Sequence, residues 1–170
     1  MLCPPRKSRE YFIESHEHPR TVSHHGNSAT SESVEMYLKE IYLLSRDGDP
    51  ARTGAIADRL DVSPPSVTQM LSRLQEQELL EYEKRRGAIL TDTGEDRARK
   101  LLSKHCLIER FLVEGLGVTE GFHDEACRLE HALSDDVAQR LTRYVDLPEE
   151  CPDCYDLEAK HCRRLDVESE

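Results

Sequence analysis

No stretch of this 170-residue chain approaches the run of about 18 apolar residues that a membrane-spanning helix needs. The first 30 residues also lack the apolar core of a secretory signal, so a cytoplasmic protein with no membrane partner is expected. Six cysteines in a chain without an export signal read as thiols or metal ligands rather than as a disulfide framework. Basic charge is also in short supply: 23 Lys and Arg face 34 Asp and Glu, for a net charge of -11. Phosphate binding is driven by Lys and Arg, so this balance argues at first against nucleic acid. The deficit is uneven, however. Residues 1–50 hold 6 basic and 8 acidic side chains, residues 51–90 hold 6 and 6, and residues 91–170 hold 11 and 20. Only the central segment is free of acidic excess. Arg outnumbers Lys by 17 to 6, and the acidic surplus suits a hydrated surface in a salt-rich interior.

What is present falls into four stretches. Residues 1–30 mix Pro, Ser, His and charges without periodicity and read as a disordered arm. Its histidines, His16, His18, His24 and His25, are irregularly spaced and read as solvated, and Cys3 has no partner in sequence. Residues 31–95 begin with a helix capped by Ser31 or Ser33, in which Val34, Tyr37, Leu38, Ile41 and Leu44 follow helical spacing until Gly48 and Pro50. Ile56, Ala57 and Leu60 suggest a second, short helix. After the turn at Asp61 and Val62, Ser63 as N-cap and Pro64 at the first helical position open a third, with Val67, Met70, Leu71 and Leu74 inward. Leu80 to Lys84 and Ala88 to Thr91 flank Arg85, Arg86 and Gly87 as a hairpin with a basic tip. Thr93 with Asp96 predicts a capping box for a long helix running to about Leu112. Residues 96–147 continue that helix, break at Gly115, Gly117 and Gly121, and end in a helix from Ser134 carrying Val137, Leu141 and Tyr144. Residues 148–170 form a cysteine-containing tail. The fold class is therefore mainly α: an N-terminal winged helix-turn-helix followed by a second helical domain.

Helix, short helix, turn, helix and hairpin is the order of a winged helix-turn-helix, whose second turn helix enters the major groove of double-stranded DNA. The outward residues of the third helix suit that task. Gln69 can pair with an adenine edge, Pro65 and Ser66 can approach a phosphate or a thymine methyl, and Arg73 can reach phosphate, as can Ser63 at the helix start. Lys84, Arg85 and Arg86 at the hairpin tip would meet the backbone beside the groove. A small helical domain with a solvated polar face would show similar residues, but not the coincidence of cap, small polar face and basic hairpin in one neutral segment.

The densest chemistry lies between His123 and His131. In a helix, Cys127, Glu130 and His131 stand at i, i+3 and i+4, so a thiolate, a carboxylate and an imidazole share one face. That mixture suits Fe²⁺, Co²⁺, Ni²⁺ or Zn²⁺ better than Ca²⁺ or Mg²⁺. The plain alternative is a partly buried helix with a core cysteine and solvated Glu and His.

Several stretches together resemble the metal-dependent repressors of the diphtheria toxin repressor and manganese transport regulator group. They are Glu35 to Leu38, Ser63 to Gln69, Leu90 to Gly94, Lys104-His105 with Glu109-Arg110, and His123 to His131. The resemblance spans about residues 32 to 147, makes residues 96–147 a helical metal-binding and dimerisation domain, and implies a homodimeric repressor on a palindromic operator controlling metal-uptake genes, not an enzyme, with no small organic ligand. It implies two metal sites per subunit: a primary site on Met36, Cys127, Glu130 and His131, and an ancillary site on His105, Glu109 and His123. Manganese-specific members carry carboxylates where Met36 and Cys127 stand. A thioether and a thiolate make the iron-responsive branch the closer likeness, with Fe²⁺ first, Mn²⁺ next, and Zn²⁺, Co²⁺ or Ni²⁺ able to bind in vitro.

This sequence departs from that pattern after residue 147. Iron-responsive relatives usually continue into a small SH3-like domain that adds ligands to the ancillary site, and the chain ends at Glu170, too soon for one. Instead it carries Cys151, Cys154, His161 and Cys162, a spacing able to close a tetrahedral Zn²⁺ site, although neighbours such as His161 and Cys162 seldom reach one ion together. The plain reading of these residues is an exposed thiol-bearing extension. Cys106, beside His105, is expected in the dimer core. Three other classes stay open: a metal-independent winged-helix regulator with Cys127 or Cys106 as redox sensor, a metalloenzyme, for which no general base or substrate cleft is evident, and a metal buffer.

Overall fold

The computed structural model describes residues 28–159, 161–162 and 165. The arm histidines and Cys3 lie outside these residues. Helix α1 (Ser28–Leu44) starts ahead of the expected caps Ser31 and Ser33 and buries Leu38 and Ile41 completely. Helix α2 (Thr53–Leu60) turns at Asp61, whose φ of 51° is left-handed and returns the Val62 N–H to the Ala57 carbonyl at 3.1 Å. Helix α3 (Pro64–Glu76) begins as its residues dictate, with Pro64 at the first position and the Ser63 hydroxyl accepting from the Ser66 N–H. Val67, Leu71 and Leu74 face inward at full burial and Met70 is half-buried.

Strands β1 (Leu80–Glu83) and β2 (Gly87–Leu90) pair antiparallel, Leu80 opposite Leu90 and Glu83 opposite Gly87, which leaves Lys84, Arg85 and Arg86 exposed at the tip. The Gln75 side-chain carbonyl accepts the Tyr82 N–H at 2.8 Å and ties this wing to α3. Ala51 and Ala88 exchange both backbone hydrogen bonds at 2.9 Å, anchoring the wing's other strand to the segment after α1.

The long helix α4 (Asp92–Arg110) is capped by Thr91, not Thr93, the Thr91 hydroxyl accepting from the Gly94 N–H at 3.2 Å. Tertiary packing decides between the two threonines. A Cβ on Gly94 would stand 1.9 Å from the Leu79 carbonyl oxygen, so the first turn of α4 lies against the start of β1 where only glycine fits. Gly94→Ala is expected to cost about 2–3 kcal/mol as backbone is forced apart, read as a lower urea midpoint with unchanged slope.

After Arg110, one π-helical turn (Phe111–Gly115) precedes α5 (Phe122–Leu129) and α6 (Asp135–Leu141). The Ser134 hydroxyl accepts from the Val137 N–H as expected, but α6 ends at Leu141, and Val137 and Tyr144 are exposed rather than packed within the chain. The tail also departs from expectation: it folds back as a short hairpin, β3 (Tyr155–Asp156) and β4 (His161–Cys162), against α4. Tyr42 on α1 donates to Asp153 at 2.6 Å, and Arg99 on α4 pairs with the same carboxylate at 3.0 Å. The core joins α1, α2, α3, the wing, α4 and the tail in one apolar cluster, in which α1 lies along α4.

Candidate metal centre

Helix α4 carries His105 and Glu109 one turn apart, and both are fully buried. Helix α5 approaches with His123 and Cys127, also one turn apart, followed by Glu130. His105 Nε2 and His123 Nδ1 both meet Glu109 Oε1, at 2.9 and 3.0 Å, while His105 Nδ1 meets Glu130 Oε2 at 2.7 Å. The Cys127 sulfur lies 3.6 Å from His123 Nε2 and 4.0 Å from His105 Nδ1. One donor atom each from His105, His123 and Cys127 lie within 4.8 Å of one another. From α1, Lys39, 8% exposed, pairs with Glu130 Oε1.

These contacts fix the charges. Burial raises the Cys127 thiol, but hydrogen bonds from His105 and His123, with Lys39 nearby, outweigh it and bring the thiol down to about 6. Burial alone would lower His105, yet its bonds to Cys127, Glu109 and Glu130 carry it up to about 10. His123 rises to about 9, first through Cys127 and then through Glu109. Glu109 and Glu130 are opposed by burial but held below the usual carboxylate range, Glu109 by His105 and His123, Glu130 by His105 and Lys39. At neutral pH three anions, the Cys127 thiolate and two carboxylates, therefore face three cations, His105, His123 and Lys39. Nitrogen, sulfur and oxygen donors converge here around the buried Glu109 and Glu130 carboxylates, a set that fits a divalent transition metal and does not resemble the oxygen-only set that Ca²⁺ or Mg²⁺ requires.

The residues expected in two sites are grouped differently. Cys127 and Glu130 meet the His105, Glu109 and His123 set directly. Helix α5 ends at Leu129, so His131 falls in the following turn instead of sharing a face with Cys127, and its Nδ1 meets Glu35 on α1 at 2.7 Å. Its Nε2 lies 3.4 Å from Glu130. Met36 is 43% exposed, because its neighbours Tyr37 and Leu38 turn inward, and Lys39 is the α1 side chain that reaches Glu130. Neither Lys39 nor Glu35 was assigned a role from the sequence, although their i, i+4 spacing puts them on the same side of α1. Tyr155 was likewise unassigned. Its ring stands edge-on to His105 at 5.6 Å, and the neighbouring Cys162 N–H donates to Glu109 Oε2 at 3.3 Å.

The tail cysteines are not an exposed extension. Cys154 and Cys162 are buried and Cys151 packs on the same cluster. The ring of His161 is engaged elsewhere: its Nδ1 meets the Cys162 carbonyl at 3.0 Å and its centroid lies 6.2 Å from that of Phe122. Cys106, expected in a dimer core, instead faces the tail within this chain.

On α3, Ser63, Pro65, Ser66, Gln69 and Arg73 are all exposed. The Ser63 and Ser66 hydroxyls lie 2.8 Å apart, whereas Gln69 and Arg73 have no side-chain partner among the described residues. Arg86 leans on Glu83 at 3.4 Å in a solvent-exposed pair, worth little against a phosphate. Lys84 and Arg85 project beside it.

Two family models match consecutive parts of the chain. The iron dependent repressor N-terminal DNA binding domain covers residues 29–88, and the iron dependent repressor metal binding and dimerisation domain covers residues 91–156. An uncharacterised HTH-type transcriptional regulator of Methanocaldococcus jannaschii is 41% identical over 118 residues, 68% of this chain and 94% of that protein. The iron-dependent repressor IdeR of Mycobacterium tuberculosis is 40% identical over 122 residues, 71% of this chain and 53% of its own length. Among solved structures, the manganese regulator SloR superposes with a TM-score of 0.60 at 38% identity, over 70% of this chain and 56% of that one. ScaR with bound Zn²⁺ gives 0.60 at 43% identity, over 71% and 57%. The chain thus spans about half the length of the iron- and manganese-responsive relatives and nearly all of the archaeal one. With both domains matched in order across most of its length, the chain belongs to the iron-dependent repressor family.

Proposed function

We propose that this protein is a homodimeric transcriptional repressor that binds a palindromic operator when a divalent transition metal is bound, Fe²⁺ first and Mn²⁺ second, and that it controls metal uptake. The observation that carries this reading is the convergence of His105, His123 and Cys127 on buried Glu109 and Glu130, in a site tied to the first helix of the DNA-binding half by the Lys39–Glu130 ion pair and the Glu35–His131 contact. The ligand pool is His105, Glu109, His123, Cys127, Glu130 and His131, with Met36 contributed from α1, divided between a primary and an ancillary ion. A metal bound there supplies the positive charge that two imidazolium protons otherwise supply.

The chain's own residues then set the geometry. Lys39 with Glu130, and Glu35 with His131, determine how α1 sits on the metal-binding half. Helix α1 shares its buried face with the core that holds α2 and α3, so the tilt of α1 fixes where α3 points. In a dimer, that orientation sets the distance between two recognition helices, which must be about 34–36 Å or a multiple to meet successive major grooves. The acidic remainder of the chain weakens non-specific binding, leaving specificity to base contacts.

An anaerobic operator titration with Fe²⁺, Mn²⁺ and Zn²⁺ tests the reading. Metal-stimulated binding that a chelator reverses supports it. Operator binding that survives chelation would point instead to a metal-independent regulator sensing through a thiol. Within the interface, Gln69→Ala is expected to cost about 1–3 kcal/mol at one base position of the operator and little elsewhere. A uniform loss across all operator variants would make Gln69 a backbone contact.

A further inference from the structure

Four sulfurs meet on the side of α4 facing the tail. Cys106 lies in the middle of α4 and is fully buried, as is Cys162 on β4, while Cys154 is 8% exposed. Cys151 is partly buried against the apolar core to which Cys106, Cys154 and Cys162 belong. The Cys154 and Cys162 sulfurs are 3.2 Å apart, too far for a disulfide, whose sulfurs are bonded at about 2.05 Å. The Cys106 thiol is within hydrogen-bonding reach of Cys151, Cys154 and Cys162, and Cys151 also reaches Ser103, one turn before Cys106 on α4.

We propose that Cys106, Cys151, Cys154 and Cys162 form a structural site for a single Zn²⁺ ion, distinct from the His105, His123 and Cys127 centre. Four thiolates from three separate segments are the closed tetrahedral set that structural zinc takes. The Cys151-x-x-Cys154 turn supplies two ligands on one loop, with the Cys151 N–H bonded to the Pro148 carbonyl at 2.9 Å and the Cys154 N–H to the Glu150 carbonyl at 3.2 Å. With Zn–S bonds of about 2.3 Å, two ligand sulfurs stand about 3.8 Å apart, so the Cys154 and Cys162 sulfurs at 3.2 Å need only a small opening to take one ion between them. The tail hairpin has only two residues in each strand, too few to hold itself in place. Zinc would staple it to α4, and with it the two contacts it makes at the other centre, Tyr155 on His105 and the Cys162 N–H on Glu109. Each shell would then serve a different purpose: the sulfur site retains its ion while the His105 centre exchanges its own. The zinc site does not depend on the repressor reading.

Metal analysis of the full chain, purified under reducing conditions and dialysed against EDTA, tests this. One zinc per chain is expected to remain. Cys106→Ser and Cys151→Ser should each reduce it to near zero, whereas His161→Ala should keep it. Because Cys106→Ser alters a buried position, a second measurement uses the unaltered protein. After Co²⁺ replaces the retained zinc, intense thiolate-to-metal charge transfer and tetrahedral ligand-field bands are expected, with four of the six thiols protected from alkylation until the metal is stripped. Retained iron in place of zinc, a Cys154–Cys162 disulfide, zinc loss in His161→Ala, or full retention in Cys151→Ser would each overturn the assignment.

Discussion

Cys127→Ala is expected to weaken metal binding by about 100-fold or more and to abolish metal-stimulated operator binding, while leaving the folded state intact. Supporting residues around a metal typically contribute 10–100-fold each, and Cys127 offers the one sulfur among the three clustered donors. It is half-buried at the rim of α5, so truncating it opens little cavity. Isothermal titration with Mn²⁺ and a thermal melt separate the two effects. Loss of metal binding with an unchanged melt fits the account, and unchanged metal binding would remove Cys127 from the site. Glu130→Gln is not an equivalent test, since it also strips Lys39 of its buried partner.

Metal affinity is expected to fall about 100-fold as the pH drops from 8 to 7, the steepest effect of solution conditions the site predicts. In the metal-free chain His105 and His123 hold their protons to about 10 and about 9, whereas metal ligation needs both imidazoles neutral. Binding anywhere in this window thus releases about two protons, and each released proton multiplies the apparent affinity about tenfold per pH unit. The Cys127 thiolate adds nothing to this slope above its pKa of about 6, but below it a third proton must leave and the slope steepens. Titrations in two buffers of different ionisation enthalpy report the proton count directly. A count near zero at pH 7.5 would mean that the histidines are not ligands.

Much of the DNA-binding half was legible because its signals are local. Ser63 followed by Pro64 specifies a helix start within two residues, and the neutral charge of 51–90 marks the segment that carries the basic wing tip. The sequence points to Thr93 as the cap of α4 and to Thr91 as a strand end, and here it misleads. The contact of Gly94 with Leu79, which no spacing rule reveals, chose Thr91. At the metal centre the donors were visible but their grouping was not. Where α5 stops decides whether His131 joins Cys127 or turns to Glu35, and no cap residue announces that end. Lys39 escaped notice because a lysine in an amphipathic helix ordinarily reads as solvated, and its burial depends on Glu130, 91 residues away. For the tail, the sequence offered His161 beside the three cysteines, whereas the proposed site takes Cys106 as its fourth ligand. Cys106 lies far upstream on α4, and only the return of the chain brings it to them.

The central claim is that metal and operator are coupled through one conformational equilibrium, and coupling between two binding events must be reciprocal. The most direct test is therefore the Fe²⁺ binding isotherm of the protein, measured anaerobically with and without a saturating operator duplex. The account predicts that operator DNA tightens Fe²⁺ binding by the same factor by which Fe²⁺ tightens operator binding. Superimposable isotherms, with Fe²⁺ bound equally well in both, would contradict it.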